Sequence, residues 1–281
     1  MAVFAGVSDT GRARESNEDR YLARHARGVT LLAVADGIGG EPGGEVAAGA
    51  AVASLARTFD ASARDTAAAL ASAMRAANDD VLRAAREHSV PTAGTTLVAA
   101  AVRGVELAVA NLGDSRAYLV RDGEPRQITT DHSGAFPGSI TRFVGDPRGV
   151  APDVFVERMR KGDRVVLCSD GLTLHVSPEE IAAAVAAAPP ERAARALVDL
   201  ANSRGGHDNV TVVVYASDQR GPGRQLLALL LALMVLVAVA GVMASTALAP
   251  GPAPSPSPSP SVTPSPSPSP SPSPSPSPSP T

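Results

Sequence analysis

Residues 31–40 read LLAVADGIGG, in which a run of apolar residues ends at the carboxylate of Asp36 and is followed at once by glycines. Residues 165–172 read VVLCSDGL and repeat the arrangement, with Asp170 at the end of the run. An unpaired buried carboxylate is costly and two that face each other are worse, so both aspartates need a cation nearby unless they are ordinary turn residues. The pattern therefore raises the question of a metal site at the ends of two buried strands.

The chain of 281 residues consists of segments with different compositions. Residues 1–218 carry charges of both signs and regular apolar periodicity, which predicts one folded domain. Residues 219–224 form a short basic linker, residues 225–249 contain no charged residue, and residues 250–281 are almost entirely alternating proline and serine. The formal net charge is -3 and no basic stripe is interleaved with aromatics, which argues against a nucleic-acid partner.

The predicted domain alternates strands with helices. Alanine-rich segments with apolar residues at helical spacing predict helices at 44–59, 64–87, 178–187 and 191–203. Strands are predicted at 2–8, 20–25, 29–35, 95–102, 106–111, 116–120, 126–129, 163–169 and 208–215. Because several strands are joined by short glycine-containing turns, the sheets should be antiparallel. The fold class is α+β, a β-sandwich covered by helices.

Acidic residues recur at the ends of the predicted strands. The carboxylates stand in RESNED (14–19), at Asp36, in NLGDSRAYL (111–119), at Asp170 and in GGHDNVTVVV (205–214). Carboxylate and carbonyl oxygens suit hard cations such as Mg²⁺ and Mn²⁺, and the absence of a His/Cys set argues against zinc. A single Asp before a Gly is usually only a turn, but five such sites with an arginine upstream predict a metal cluster.

These motifs, together with DGIGG (36–40), AGTTL (93–97), DHS (131–133) and GDRVVLCSDGL (162–172), occur in an order that resembles a known family. It is the bacterial form of the metal-dependent Ser/Thr protein phosphatases (PPM, protein phosphatase 2C type), and the resemblance covers residues 3–215. The family likeness implies an α-β-β-α sandwich of two antiparallel sheets, with a metal centre at one end of the sheets.

The resemblance also implies a role for each acidic residue. Asp36 would bridge two Mn²⁺ or Mg²⁺ ions, the Gly37 carbonyl would ligate one of them, and Asp170 and Asp208 would complete the other. Asp114 would hold a third, weaker metal shared with Asp170. Glu18 and Asp19 match an acidic pair that binds metal directly or through water, and Arg14 matches a phosphate-binding arginine. The residues in supporting roles are Asn209, Ser115 and Arg116.

The implied activity is hydrolysis of phosphoserine and phosphothreonine in proteins by a water that two metal ions activate, with Asp36, Asp170 and Asp208 as the catalytic set. The expected partners are phosphorylated proteins, Ser/Thr kinases among them. No serine near the predicted site has an adjacent histidine base, so a serine nucleophile is the weaker interpretation. The alternative function is a membrane-tethered pseudophosphatase that binds phosphoproteins without turnover.

Two departures from the family pattern bear on the chemistry. Ile38 stands where some members carry a histidine that is proposed to protonate the leaving group. The region between DHS and residue 162 is short, so the helical flap of bacterial relatives is truncated and the cleft should be more open. The sequence predicts a loop-supporting role for His132 and a surface or orienting role for His207. Neither histidine is predicted to ligate metal.

Residues 225–249 predict a single transmembrane helix, because a buried core helix rarely has about 20 residues without a charge. The basic residues before it, Arg220 and Arg224, predict a cytoplasmic phosphatase domain and a tail on the outside of the cell membrane. The lone Cys168 in an apolar run fits a reducing compartment and a buried side chain. The Pro/Ser tail (250–281) cannot bury a core and should be a disordered, polyproline-like spacer.

Overall fold

The computed structural model describes residues 3–40, 42–90, 92–136 and 139–217. One five-stranded sheet contains, in spatial order, β1 (Val3–Asp9), β12 (Val210–Ala216), β11 (Arg164–Cys168), β8 (Arg116–Arg121) and β9 (Glu124–Gln127). The second contains β10 (Asp153–Arg158), β7 (Glu106–Leu112), β6 (Leu97–Arg103), β3 (Val29–Ala35) and β2 (Arg20–Ala26). A two-stranded ladder pairs β4 (Gly37–Ile38) with β5 (Gly94–Thr95).

Helices cover the outer faces of both sheets. They are α1 (Gly43–Thr58) and α2 (Thr66–Glu87) on the second sheet, and α3 (Asp170–Thr173), α4 (Pro178–Ala187) and α5 (Pro190–Ser203) on the first. Leu32, Val98 and Leu167 are fully buried between the two sheets. The α-β-β-α sandwich of two antiparallel sheets is thus confirmed for the described residues.

Local chemistry explains where the helices begin. The Asp65 carboxylate accepts the N–H of Ala68 at 2.9 Å and caps α2, which therefore starts at Thr66, two residues later than predicted. Ser177 and Glu180 form a reciprocal capping box at α4, with Pro178 in the first turn. These caps satisfy backbone N–H groups that have no partner inside the helix.

Three parts of the sequence interpretation need correction. The β9 strand begins at Glu124, not at 126, because Asp122 and Gly123 both adopt positive φ and close a tight hairpin directly before it. The β10 strand was not predicted, since its residues lie in the stretch that was interpreted as a truncated flap. The residues after Asp170 form the one-turn helix α3, which was also missed.

Within the described residues, no helix combines the length and the apolar character needed to cross a membrane. The predicted linker (219–224), span (225–249) and tail (250–281) all lie outside the described residues.

Candidate metal centre

The predicted acidic residues meet at one end of the sandwich, because β3 and β11 both end there and β8 and β12 both begin there. They line a cavity of about 220 Å³. Its wall contains residues that the sequence analysis assigned to the site, among them Arg14, Glu18, Asp36, Gly37, Asp114, Asp170, Asp208 and Asn209. Asp19, Ser115 and Arg116 are not among the residues of this wall.

Asn209 joins the N-terminal motif to the start of β12. Its amide oxygen accepts the backbone N–H of Glu18 at 2.8 Å, and its amide nitrogen donates to the carbonyls of Thr10 and Ser16, each at 2.8 Å. These bonds place the RESNED loop beside the last strand. The predicted supporting role of Asn209 therefore has a direct structural basis.

Asp19 is buried beneath the cavity. The Ser169 hydroxyl donates to one oxygen of its carboxylate at 2.7 Å, whereas the other oxygen, Oδ1, is buried with no hydrogen-bond partner. A buried carboxylate oxygen without a donor is costly and calls for a cation or a water. The site therefore has unused ligand capacity.

Glycines let the backbone approach the acidic side chains closely. A Cβ at Gly44 would collide with the Glu18 carboxylate, and one at Gly171 would collide with the Asn209 carbonyl. A Cβ at Gly37 would lie 2.5 Å from the carbonyl carbon of Gly44. Any side chain at these positions would displace candidate ligands.

Thr95 and Thr96, which the AGTTL motif contains but which were not assigned to the site, fix the backbone of Asp36. The Thr96 hydroxyl accepts the N–H of Asp36 at 3.0 Å, and the Asp36 carbonyl accepts both the Thr95 hydroxyl at 2.8 Å and the Thr96 N–H at 2.9 Å. The Thr96 hydroxyl also lies 2.7 Å from that of Ser115. Thr96 thus links Asp36 to the loop that carries Asp114.

His132 holds that loop from the other side. The N–H of Gly113 donates to Nδ1 of His132 at 3.0 Å, and His132 Nε2 lies 2.9 Å from Asp153. The predicted loop-supporting role of His132 is confirmed. Arg116 makes a two-pronged ion pair with Asp131, with the shortest distance 2.7 Å, and does not line the cavity.

Mutual repulsion and burial dominate the electrostatics of the carboxylates. Burial raises the pKa of Asp36 well above its usual range, and the charges of Asp19, Asp170 and Asp208 raise it further. Burial also raises the pKa of Asp19 to about 7 and, with the charges of Asp114 and Asp208, that of Asp170 to about 6. Burial and like charges therefore disfavour the charged forms of these carboxylates unless cations are bound.

The donor set fits divalent hard cations. Carboxylates and the Gly37 backbone surround one polar cavity, burial and like charges raise the pKa of Asp36, and Asp19 Oδ1 lacks a donor. In the described part of the chain, no three His, Cys, Asp or Glu side chains already surround a common point as a bound ion requires. Asp36 and Asp170 are instead within hydrogen-bonding reach of each other, and Arg14 pairs with Asp208. Ion binding therefore requires these side chains to exchange their present partners for an ion within the cavity.

The two departures from the family pattern both lie at this cavity. Ile38 lines its wall, and so does Ile140 from the short segment after DHS. That segment is closed by a bridge between Ser133 and Ile140, and its described residues form no helix. His207 is exposed and does not line the cavity: its Nδ1 lies 3.1 Å from Nε2 of the half-buried His175.

Comparisons with known proteins agree with this geometry. The model of the family described as protein phosphatase 2C matches residues 10–207. The Mycobacterium tuberculosis serine/threonine protein phosphatase PstP is 38% identical over 231 residues, which are 75% of this chain and 44% of PstP. The chain therefore spans less than half of that relative. The Listeria monocytogenes serine/threonine phosphatase stp is 32% identical over 243 residues, 77% of this chain and 96% of the relative.

A solved structure of a relative has the same fold. The catalytic domain of PstP in complex with two manganese ions is 37% identical, covers 77% of this chain and 99% of its own, and superposes with a TM-score of 0.69. The fold and the acidic cavity thus define a metal-dependent phosphatase class. The chain belongs to the protein phosphatase 2C family. Both of these relatives, PstP and stp, are named as Ser/Thr phosphatases.

Proposed function

We propose that this chain hydrolyses phosphoserine and phosphothreonine in proteins with Mn²⁺ or Mg²⁺ and thereby reverses Ser/Thr kinase signalling at the membrane. The observation that carries the proposal is one cavity lined by Asp36, Asp114, Asp170 and Asp208 with Arg14 at its wall. Phosphate monoester hydrolysis needs cations at the reacting phosphoryl group and a donor for its other oxygens, and this cavity offers both.

The residues that line the cavity would have separate roles in metal binding and phosphate binding. Asp36, Asp170, Asp208 and the Gly37 carbonyl would hold two ions, with Glu18 and Asp19 beside them and Asp114 available for a third. When bound, the ions activate water and neutralise charge on the phosphoryl group. The planar guanidinium of Arg14 binds two phosphate oxygens and keeps the phosphorus in line for attack.

Membrane attachment is part of the proposal and rests on the sequence. The uncharged residues 225–249 would form one span, Arg220 and Arg224 would keep residues 1–218 in the cytoplasm, and residues 250–281 would lie outside the cell. The substrates would then be cytoplasmic phosphoproteins, including Ser/Thr kinases near the bilayer.

The test compares the full chain with Asp36→Asn on a phosphothreonine peptide, with and without Mn²⁺. We expect turnover only with Mn²⁺ or Mg²⁺, and none by Asp36→Asn, because the substitution removes the charge that both ions share. Asp79→Asn, on the exposed face of α2, removes the same charge away from the cavity and should leave the rate unchanged. Full activity in excess EDTA, or an active Asp36→Asn, contradicts the metal assignment.

A further inference from the structure

The end of the sandwich opposite the carboxylate cavity carries exposed basic residues where the described chain ends. β12 begins beside Asp208 and runs through Ala216, so its seven residues carry the chain roughly 20 Å away from the cavity. There the N–H of Ser217 donates to the Asp163 carbonyl at 2.9 Å, and the Ser217 carbonyl accepts the N–H of Gly162 at 3.3 Å. The last described residue is therefore fixed to the connection between β10 and β11.

That connection supplies a basic patch, defined by Arg158, Arg160 and Lys161. All three are exposed, and none forms an ion pair within the described part of the chain. The acid of the connection, Asp163, is buried and is engaged by Arg121 at 2.7 Å. With Arg164, the segment 158–164 holds four bases against one acid, and that acid is already neutralised.

An apolar side chain lies next to the basic patch. The carbonyl of Val105, in the β6–β7 turn, accepts the N–H of Met159 at 2.8 Å, so this turn is joined to the basic connection. The Val105 side chain is 42% exposed. Basic residues around an exposed aliphatic tip are the composition that suits a lipid interface.

We propose that the basic patch binds the anionic headgroups of the membrane into which the chain is inserted, so that the cavity faces away from the bilayer. The inference rests on the span at 225–249 in the proposed function. Eight residues lead from Ser217 to Gln225, and a fully extended chain of that length reaches at most about 28 Å. Such a tether holds the patch at high local concentration near the lipid surface.

The charge of the cytoplasmic leaflet favours this occupant. Each Lys or Arg close to an anionic surface raises the bound-to-free ratio about fivefold at physiological salt, so three basic residues raise it by at most about a hundredfold. Exposed acids border the patch at Glu106, Asp122 and Glu124. Mobile headgroups can redistribute around these fixed carboxylates, whereas the regularly spaced phosphates of a nucleic acid duplex cannot.

Lys161 provides a direct probe, because it is the only lysine in the sequence. The full chain is reconstituted in nanodiscs of phosphatidylcholine alone or with phosphatidylglycerol, and the rate at which an amine-reactive reagent modifies Lys161 is followed by mass spectrometry. We expect at least a tenfold slower rate with phosphatidylglycerol. High salt should remove the protection, because the Debye length falls from about 8 Å to about 3 Å at 1 M.

Matched variants assign the effect. Arg158→Gln with Arg160→Gln should abolish the protection of Lys161, whereas Arg75→Gln with Arg86→Gln, which removes the same charge from exposed positions on α2, should leave it intact. Asp122→Asn with Glu124→Gln should strengthen it.

The proposal is overturned if Lys161 is modified at equal rates in nanodiscs with and without phosphatidylglycerol. It is also overturned if soluble nucleic acid protects Lys161 equally well. Flotation with phosphatidylcholine vesicles tests the span separately, and phosphatase assays on the same samples test the activity.

Discussion

Nη2 of Arg14 lies 2.8 Å from Oδ2 of Asp208, so the proposed phosphate-binding arginine is paired with a proposed metal ligand. The Arg14 side chain is 51% exposed, which makes this a solvent-accessible ion pair of modest strength. Arg14 and an ion therefore compete for Asp208. An ion bound to Asp208 would free the guanidinium for the phosphate of a substrate.

The first prediction follows from this competition. Arg14→Ala should raise KM for a phosphopeptide and weaken inhibition by inorganic phosphate, because a charge-assisted two-pronged contact is lost. It should leave Mn²⁺ affinity equal or tighter, since a competing cation is gone. Arg12→Ala, at the neighbouring exposed arginine, is the control. A variant that loses Mn²⁺ affinity while phosphate still inhibits normally would show that Arg14 is a structural residue.

The second prediction concerns the buried Thr96. Thr96→Val conserves shape but removes the acceptor of the Asp36 N–H and the partner of Ser115, so it should lower the free energy of unfolding by about 1–3 kcal/mol. It should also weaken Mn²⁺ binding in calorimetry, because Asp36 loses its support. Thr66→Val is the matched control: its hydroxyl is equally buried but has no hydrogen-bond partner. Equal effects of the two substitutions would rule out a role for Thr96 in the site.

The local part of the site could be predicted from the sequence, whereas contacts between distant segments could not. Asp36 and Asp170 each end an apolar run, and that pattern is visible in a short window. The link from Thr96 to Ser115 depends on how β6 and β7 pair, which no short window contains. The pairing of Arg14 with Asp208 likewise joins residues from opposite ends of the domain.

The β10 strand shows why an edge element is harder to predict. Its alternation places Phe155 toward the core but leaves Val154 and Val156 partly exposed. Without a clear hydrophobic contrast between the two faces, the pattern resembles a loop.

The third prediction uses the pKa values of the carboxylates. Asp19 and Asp170 titrate at about 7 and about 6 in the folded chain, against 3.8 for an ordinary aspartate. Between about pH 4 and pH 7, the metal-free folded chain retains protons on Asp19 and Asp170 that the unfolded chain has lost. The contribution of these two carboxyls to the free energy of unfolding therefore falls as pH rises through this range. Without metal, the folded chain must either protonate the Asp36 carboxyl or bear its charge among other carboxylates, and that cost grows as pH rises. Asp36→Asn removes this cost, so it should raise Tm above that of the unmodified chain, by more at pH 8 than at pH 5.

With Mn²⁺ bound, the unmodified chain should have the higher Tm of the two proteins. The ions bind deprotonated carboxylates, so the increase in Tm that Mn²⁺ causes in the unmodified chain should grow from pH 5 to pH 8, while Asp36→Asn gains little. Differential scanning fluorimetry with EDTA or Mn²⁺ measures both effects. A Tm difference between the two metal-free proteins that does not depend on pH would contradict the assigned repulsion.

The last prediction concerns membrane topology, and the structure supplies its background control. Cys168 is buried, and burial raises the pKa of its thiol to about 12, so it should not react with a maleimide in the folded chain. A cysteine introduced by Ser255→Cys in the Pro/Ser tail should therefore be the reactive thiol, and it should be labelled by an impermeant maleimide on intact cells. Ser62→Cys, in the exposed loop before α2, should be labelled only after lysis. In the proposed topology, Arg220 and Arg224 would set this orientation, because their transfer across the membrane is opposed by insertion bias and membrane potential. Labelling of the Ser255→Cys tail only after lysis would place the tail inside the cell and remove the case for a span at 225–249.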